Sequence, residues 1–141
     1  MNDSFKPIIT IFHCVNAFSS DISALSSGDN PELRSVILPC SSMVKDVYLL
    51  RAFEAGADAV IVLTCGEGEC QYVDGNLRAR KRVERVQALL GEIGLGSQRL
   101  FLHNITSNDE AAVSQIIQKT ISDLMVIGLN PTTGNQVKVT A

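Results

Sequence analysis

Apolar residues along this chain fall into short dense runs, separated by stretches in which they recur every three or four positions. Residues 7–15 (PIITIFHCV), 35–39 (SVILP), 59–63 (AVIVL) and 99–103 (RLFLH) are the dense runs. The first is β-branched and nearly unbroken, which predicts a strand buried on both faces, as in a parallel sheet. The third is the strongest of the set. Helical spacing fills the intervals. Phe18, Ile22 and Leu25 stand at i, i+4, i+7 within residues 16–25, where serines weaken the helix and Gly28 would stop it. Ser41 or Ser42 can cap a helix over 43–55. Its apolar stripe would run through Val44, Val47, Leu50 or the stem of Arg51, and Phe53-Glu54. Gly56 suits the left-handed position after its end. Asp74 or Asn76 can cap a helix reaching about residue 93, with Ala79, Val83, Val86, Leu90 and Ile93 on its core face. Ser107 and Glu110 form a capping-box pattern ahead of a stripe of Val113, Ile116, Ile117, Ile121, Leu124 and Met125.

Four strand-helix units in succession, with no internal repeat or linker, predict an α/β fold. The expectation is a single-domain open parallel sheet of about four strands with helices on both faces, Rossmann- or flavodoxin-like. The domain would span residues 1–128. Residues 129–141 (LNPTTGNQVKVTA) are polar with Pro and Gly and predict a tail.

Composition narrows the function. A chain of 141 residues with 45% apolar content suits one domain with a real core. The net charge of −3 offers no general attraction to nucleic acid or an anionic membrane. No apolar run approaches a membrane span, and the first residues lack a secretory pattern. The expected location is cytoplasmic, where clustered thiols more often signal metal or redox chemistry than structural disulfides.

The chain has four cysteines. Cys14, Cys40 and Cys65 each stand at or just past the carboxyl end of a predicted strand, the edge where open α/β sheets carry their sites. Cys70 follows Cys65 by five residues across a Gly-rich loop, CGEGEC, in which Gly66 and Gly68 permit close backbone approach. A lone free cysteine is commonly a small buried hydrophobe, but four at equivalent places on the fold are harder to explain that way. The Cys-x4-Cys element lacks the paired Cys-x2-Cys knuckles of common zinc modules and is compatible with iron–sulfur ligation. Three chemistries stay open on the residues alone: an iron–sulfur carrier, a structural zinc-binding interaction module, and a thiol–disulfide redox protein using Cys65 and Cys70. A flavodoxin-like small-molecule binder would leave the cysteine placement unexplained. Past the loop, Arg78, Arg80, Lys81, Arg82 and Arg85 make either a solvated helix face or a docking face. His13 and His103 are candidate ligands, although a satisfied structural histidine is the commoner case. Glu67 and Glu69 read as solvated loop residues. No catalytic triad order, Walker loop or dinucleotide fingerprint is present.

Residues 65–82, CGEGECQYVDGNLRARKR, resemble the most specific motif of the delta subunit family of the methyl-viologen-reducing hydrogenase. That motif runs Cys, a short Gly-containing loop, an acidic residue, Cys, a polar residue, Tyr, an acidic turn, Gly-Asn, and an Arg-rich helix. Cys40-Ser41-Ser42 resembles the family's middle cysteine element, residues 53–58 (FEAGAD) its turn before the third strand, and Ile105-Thr106-Ser107 the segment before its last helix. The resemblance implies a non-catalytic electron-transfer adaptor in an oxidoreductase complex, carrying one 2Fe-2S cluster on Cys14, Cys40, Cys65 and Cys70. It implies a hydrogenase- or formate-dehydrogenase-type donor and a flavin-containing, heterodisulfide-reductase-like acceptor. It also casts Gly66, Gly68, Tyr72, Asn76, Arg78, Arg80, Arg82 and Arg85 as cluster-surrounding or docking residues. Two departures stand out. The family's first strand usually ends in Cys-x2-Cys, whereas here Ala17 holds the second position. The loop usually reads Cys-His-Pro-Gly-Asp-Cys-His, whereas here Gly66, Glu67 and Gln71 replace the His, Pro and His.

Overall fold

The computed structural model describes residues 7–14, 32–38, 45–65, 75–94, 96–105 and 110–128, and at Cys14, Glu32, Cys65, residues 75–78 and Ser97 the backbone alone. Its strands are β1 (Ile8–Cys14), β2 (Glu32–Leu38), β3 (Ala59–Cys65) and β4 (Leu100–Ile105), and its helices are α1 (Asp46–Glu54), α2 (Gly75–Glu92) and α3 (Glu110–Ile127). The strands form one parallel sheet in the order β2-β1-β3-β4. This is the open α/β sheet with helices on both faces that the apolar runs predict.

Alternation along the strands divides the core in two. Ile9, Ile11, Ala59, Ile61 and Leu63 pack with Val113, Ile117 and Leu124 of α3. Phe12, Val60, Val62 and Leu100 pack with Leu49 and Phe53 of α1 and Val83, Val86 and Leu90 of α2. The chain moves in one direction across the sheet from β2 to β3 to β4, so right-handed crossovers put α1 and α2 on one face. After β4 the last helix returns across the other face. β1 and β3 are therefore the two central strands. The order reverses between them, which makes their carboxyl ends the topological switch point.

The helix boundaries follow from local chemistry. α1 ends in a Schellman motif. Gly56 takes a left-handed φ of 105°, its N–H bonds to the Phe53 carbonyl, and the Ala57 N–H bonds to the Ala52 carbonyl. α2 buries Ala79, Val83, Val86 and Leu90. The helix stops at Glu92, so Ile93 lies past its end and is 64% exposed rather than on the core face. α3 buries Val113, Ile117, Thr120 and Leu124. Thr120 joins the stripe because its hydroxyl donates to the Ile116 carbonyl at 2.8 Å, while Met125 faces outward.

Other expectations shift in register. α1 docks through Leu49 and Phe53, and Val47 is exposed. The expected stripe placed Phe53 rightly and missed Leu49, choosing Val47 instead, because apolar residues surround this short helix. β2 starts at Glu32, earlier than expected. As an outer strand with one neighbour among the described residues, it tolerates the polar Arg34 and Ser35, and it leaves Val36 and Ile37 exposed. β3 runs on to Cys65, so that cysteine ends the strand instead of following it. β4 begins at Leu100, because Arg99 belongs to a short 3₁₀ turn, Ser97–Arg99. α1 starts at Asp46 with Lys45 at its N-cap position and no side-chain cap, so neither Ser41 nor Ser42 caps it as expected. The expected helix over 16–25, the serine cap at 107 and the tail over 129–141 lie outside the described residues. Among the described residues no helix is long and apolar enough to cross a membrane.

Candidate functional site

The amino and carboxyl edges of the sheet are built differently. At the amino edge, Asp58 precedes β3 and is buried. Its carboxylate accepts the Ile8 N–H at 2.7 Å, and its own N–H donates to the Ile8 carbonyl at 2.7 Å. The buried Arg99 reaches across to donate to the Asp58 carbonyl at 3.1 Å. Burial lowers the Arg99 pKa and the Asp58 charge opposes that effect. This network fastens the starts of β1, β3 and β4 together.

The carboxyl edge holds Cys14 and Cys65. Cys14 is the last residue of β1 and Cys65 the last of β3, its adjacent strand. His13 is in register with Leu63, and Cys65 is in register with Ile105 of β4. Cys14 and Cys65 are thus offset by one residue on neighbouring strands. Ordinary strand spacing and rise give backbones about 6 Å apart. Cys14 is also in register with Leu38, the last residue of β2. Cys40 comes two residues later in the chain. Cys40, Cys70, Gly66, Gly68 and Tyr72 lie outside the described residues. Asn76 and Arg78 fall in the first turn of α2, which follows Cys65 and Cys70 in the sequence.

Just behind each strand-end cysteine sits a buried polar residue. His13 is 1% exposed and shares a hydrogen bond of 2.6 Å, through Nε2, with the Ser35 hydroxyl of β2. Thr64 is fully buried, and its hydroxyl donates to the Asn104 side-chain carbonyl of β4. Sequence reasoning singled out neither Thr64, Asn104 nor Ser35. The available signal was a hydroxyl inside a run of buried β-branched residues, which needs a partner when buried.

On the α2 side, a crevice of about 260 Å³ opens beside Asn104, lined also by Arg80, Glu84 and Gln87. Arg80 is exposed there. Arg82 is half-buried, and Arg85 turns away to pair with Asp46 of α1 at 2.7 Å. The described part of the basic run therefore serves more than one purpose. The histidines keep structural surroundings: His13 is bonded to Ser35, and His103 stacks on Phe101 with ring centroids 6.3 Å apart. Burial, and then the charge of Lys119, lower the His103 pKa.

A family model described as "Methyl-viologen-reducing hydrogenase, delta subunit" matches residues 9–128, covering both central strands and all three helices. The chain belongs to that delta subunit family. Among its relatives, the vhu iron-sulfur subunit of the F420-non-reducing hydrogenase from Methanocaldococcus jannaschii is 33% identical over 128 residues. The match covers 89% of this chain and 96% of that protein. The corresponding vhu iron-sulfur protein of Methanococcus maripaludis is 30% identical over 129 residues, 89% of this chain and 96% of its own. A component of the ferredoxin/F420H2-dependent CoB-CoM heterodisulfide reductase from Methanosarcina acetivorans is 31% identical over 125 residues, 86% of this chain but 16% of that longer protein. The delta-family sequence thus occurs in its relatives both as a small separate chain and as a segment of a larger one.

Proposed function

We propose that this delta-family chain is an electron-transfer adaptor that binds one 2Fe-2S cluster through Cys14, Cys40, Cys65 and Cys70. The observation that carries the reading is the placement of Cys14 and Cys65 at the ends of the two central strands, one residue out of step. Thiolates are the donors that soft metal centres and iron–sulfur clusters take, so the residues present fit the group. Covalent reach limits the other two. Cys40 is two residues past Leu38, within about 7 Å of it, and Cys70 is five past Cys65, within about 18 Å. The names of the two hydrogenase relatives, which include "iron-sulfur", point the same way.

The cluster would supply one-electron exchange. The protein would supply the ligands, the burial of the strand ends and the surface that meets partners. α2 starts after the cysteine loop, and its N-terminal dipole favours nearby negative charge such as a thiolate-bound cluster carries. Asn76 and Arg78 in its first turn, Arg80 and Arg82 in its second, and Arg85 beyond would shape the cluster surroundings or the docking face. Gly66, Gly68 and Tyr72 belong to the same reading through the loop. The donor would be a hydrogenase- or formate-dehydrogenase-type enzyme. The acceptor would be a flavin-containing, heterodisulfide-reductase-like protein. The occurrence of a related segment within a heterodisulfide reductase chain supports that choice.

The test is absorption spectroscopy with iron and zinc analysis on anaerobically purified protein, before and after dithionite. The expected result is about two irons per chain and visible bands that bleach on reduction. Cys65→Ser and Cys14→Ser should each lose those bands while melting cooperatively. A colourless protein with about one zinc would replace this reading with a structural zinc module. Rapid alkylation of Cys65 and Cys70 in a reconstituted but metal-free protein would replace it with thiol–disulfide chemistry.

A further inference from the structure

We infer that Thr64 with Asn104, and His13 with Ser35, are positioning pairs that hold the cysteine-bearing strand ends in place. The purpose of the pairs rests on the cluster reading above; their geometry rests on the sheet alone. Thr64 and His13 occupy the last register positions before Cys65 and Cys14. Both are inside the core, where a valine or leucine would need no partner. A buried hydroxyl or imidazole costs stability unless it is hydrogen-bonded. Each here is bonded sideways, to the outer strand next to it. Thr64 meets Asn104 at its own register partner on β4. His13 meets Ser35, two residues before its register partner Ile37 on β2.

Strand ends are the parts of a sheet that fray first, since the backbone ladder stops there. A side-chain bond one residue behind the last position ties each central strand to its neighbour where the ladder runs out. The two ties fall on opposite sides of the switch point. One fastens β1 to β2, the strands that lead into Cys14 and Cys40. The other fastens β3, which leads into Cys65 and Cys70, to β4. Asn104 is exposed on its crevice side, so losing the Thr64 hydroxyl lets its amide turn to water without unfolding the strand.

Thr64→Val keeps the branched shape and removes the donor, and Ser35→Ala removes the other pair's oxygen. The probe is cobalt(II), titrated into reduced apo-protein and read by its thiolate charge-transfer absorption. It is followed by the reduction potential and electron paramagnetic resonance of reconstituted protein. Each variant should bind cobalt about tenfold or more weakly, as loss of a supporting hydrogen bond around a metal site usually does. The resonance should broaden, and Thr64→Ser should restore it. Wild-type cobalt affinity and an unchanged signal in both variants would overturn the inference. If the wild-type protein takes up neither iron nor cobalt, the cluster reading fails on its own. The pairs are then judged by amide exchange. Exchange at Cys65 and Ile105 about tenfold faster in Thr64→Val, with Ile61 unchanged, sustains the positioning role, and no such change overturns it.

Discussion

At the amino edge of the sheet, Arg99 and Asp58 meet beneath Ile8; at the carboxyl edge, Cys14 and Cys65 end the same strands that the first edge starts. The amino edge joins three strands through charged groups that are almost wholly buried. Asp58 is 4% and Arg99 3% exposed. The carboxyl edge uses hydrogen-bonded side-chain pairs that hold no carboxylate, guanidinium or ammonium group, His13 with Ser35 and Thr64 with Asn104. A cluster held by four thiolates would be anionic, and fixed charges close by would perturb its potential. Keeping the charged fastening at the far end separates the group that stabilises the fold from the groups that would tune the chemistry.

Breaking the amino edge should give the largest effect. Arg99→Met preserves much of the apolar stem but removes the positive charge that Asp58 feels. Losing the hydrogen bond that this buried charged donor gives the Asp58 carbonyl costs about 1.5–3 kcal/mol. The expected outcome is an unfolding free energy from urea melts lowered by that amount, with Arg99→Met/Asp58→Asn recovering part of it. On the cluster reading proposed above, metal content per folded molecule should not change. A loss of metal in proportion to stability would show that the two edges are not separable.

A smaller effect, confined to acid, should come from His103 on β4. Burial, and then the Lys119 charge, hold its imidazole below the ordinary value of 6.5. The native state then binds that proton less readily than the unfolded chain. The contribution is complete above about 6.5 and is lost as pH falls through the folded-state value. His103→Gln should remove that slope from urea melts taken between neutral pH and about pH 5, and Lys119→Ala should shrink it. An unchanged slope in His103→Gln would assign the acid sensitivity elsewhere.

The sheet was legible in the sequence because its central strands are apolar on both faces. Strand ends were not. Cys65 lies within β3 because Ile105 is there to pair with it, and a pairing 40 residues away leaves no local mark. The face of α1 was read rightly at Phe53 and wrongly at Val47, for a similar reason. Val47, Tyr48, Leu49, Leu50, Ala52 and Phe53 offer several apolar stripes, and only contact with Val60 and Val62 selects Leu49 and Phe53. The thiol edge was half legible. Strand polarity sends Cys14 and Cys65 to one edge without any knowledge of distance. The supporting pairs were invisible, since Ser35 is 22 residues from His13 and Asn104 is 40 from Thr64.

The finest test compares two arginines of α2 that the basic run presents alike. Arg80 is exposed at the crevice beside Asn104, on the carboxyl side of the sheet. Arg85 is tied to Asp46 of α1, with side chains 63% and 29% exposed. An exposed pair of this kind contributes about 0–1 kcal/mol and is screened by salt. Arg85→Ala should therefore lower the melting midpoint slightly at low salt and not at high salt. Arg80→Ala removes no ion pair that the described side chains form and should leave the midpoint unchanged. Encounter with an acidic surface reverses the ranking. Charge-steered association depends on cations free to face the partner, so on the proposed relay to a flavoprotein Arg80→Glu should slow electron delivery at low salt more than Arg85→Glu does. Equal slowing by the two would mean that the whole helix steers, and the division of the basic run between fastening α1 and meeting a partner would be wrong.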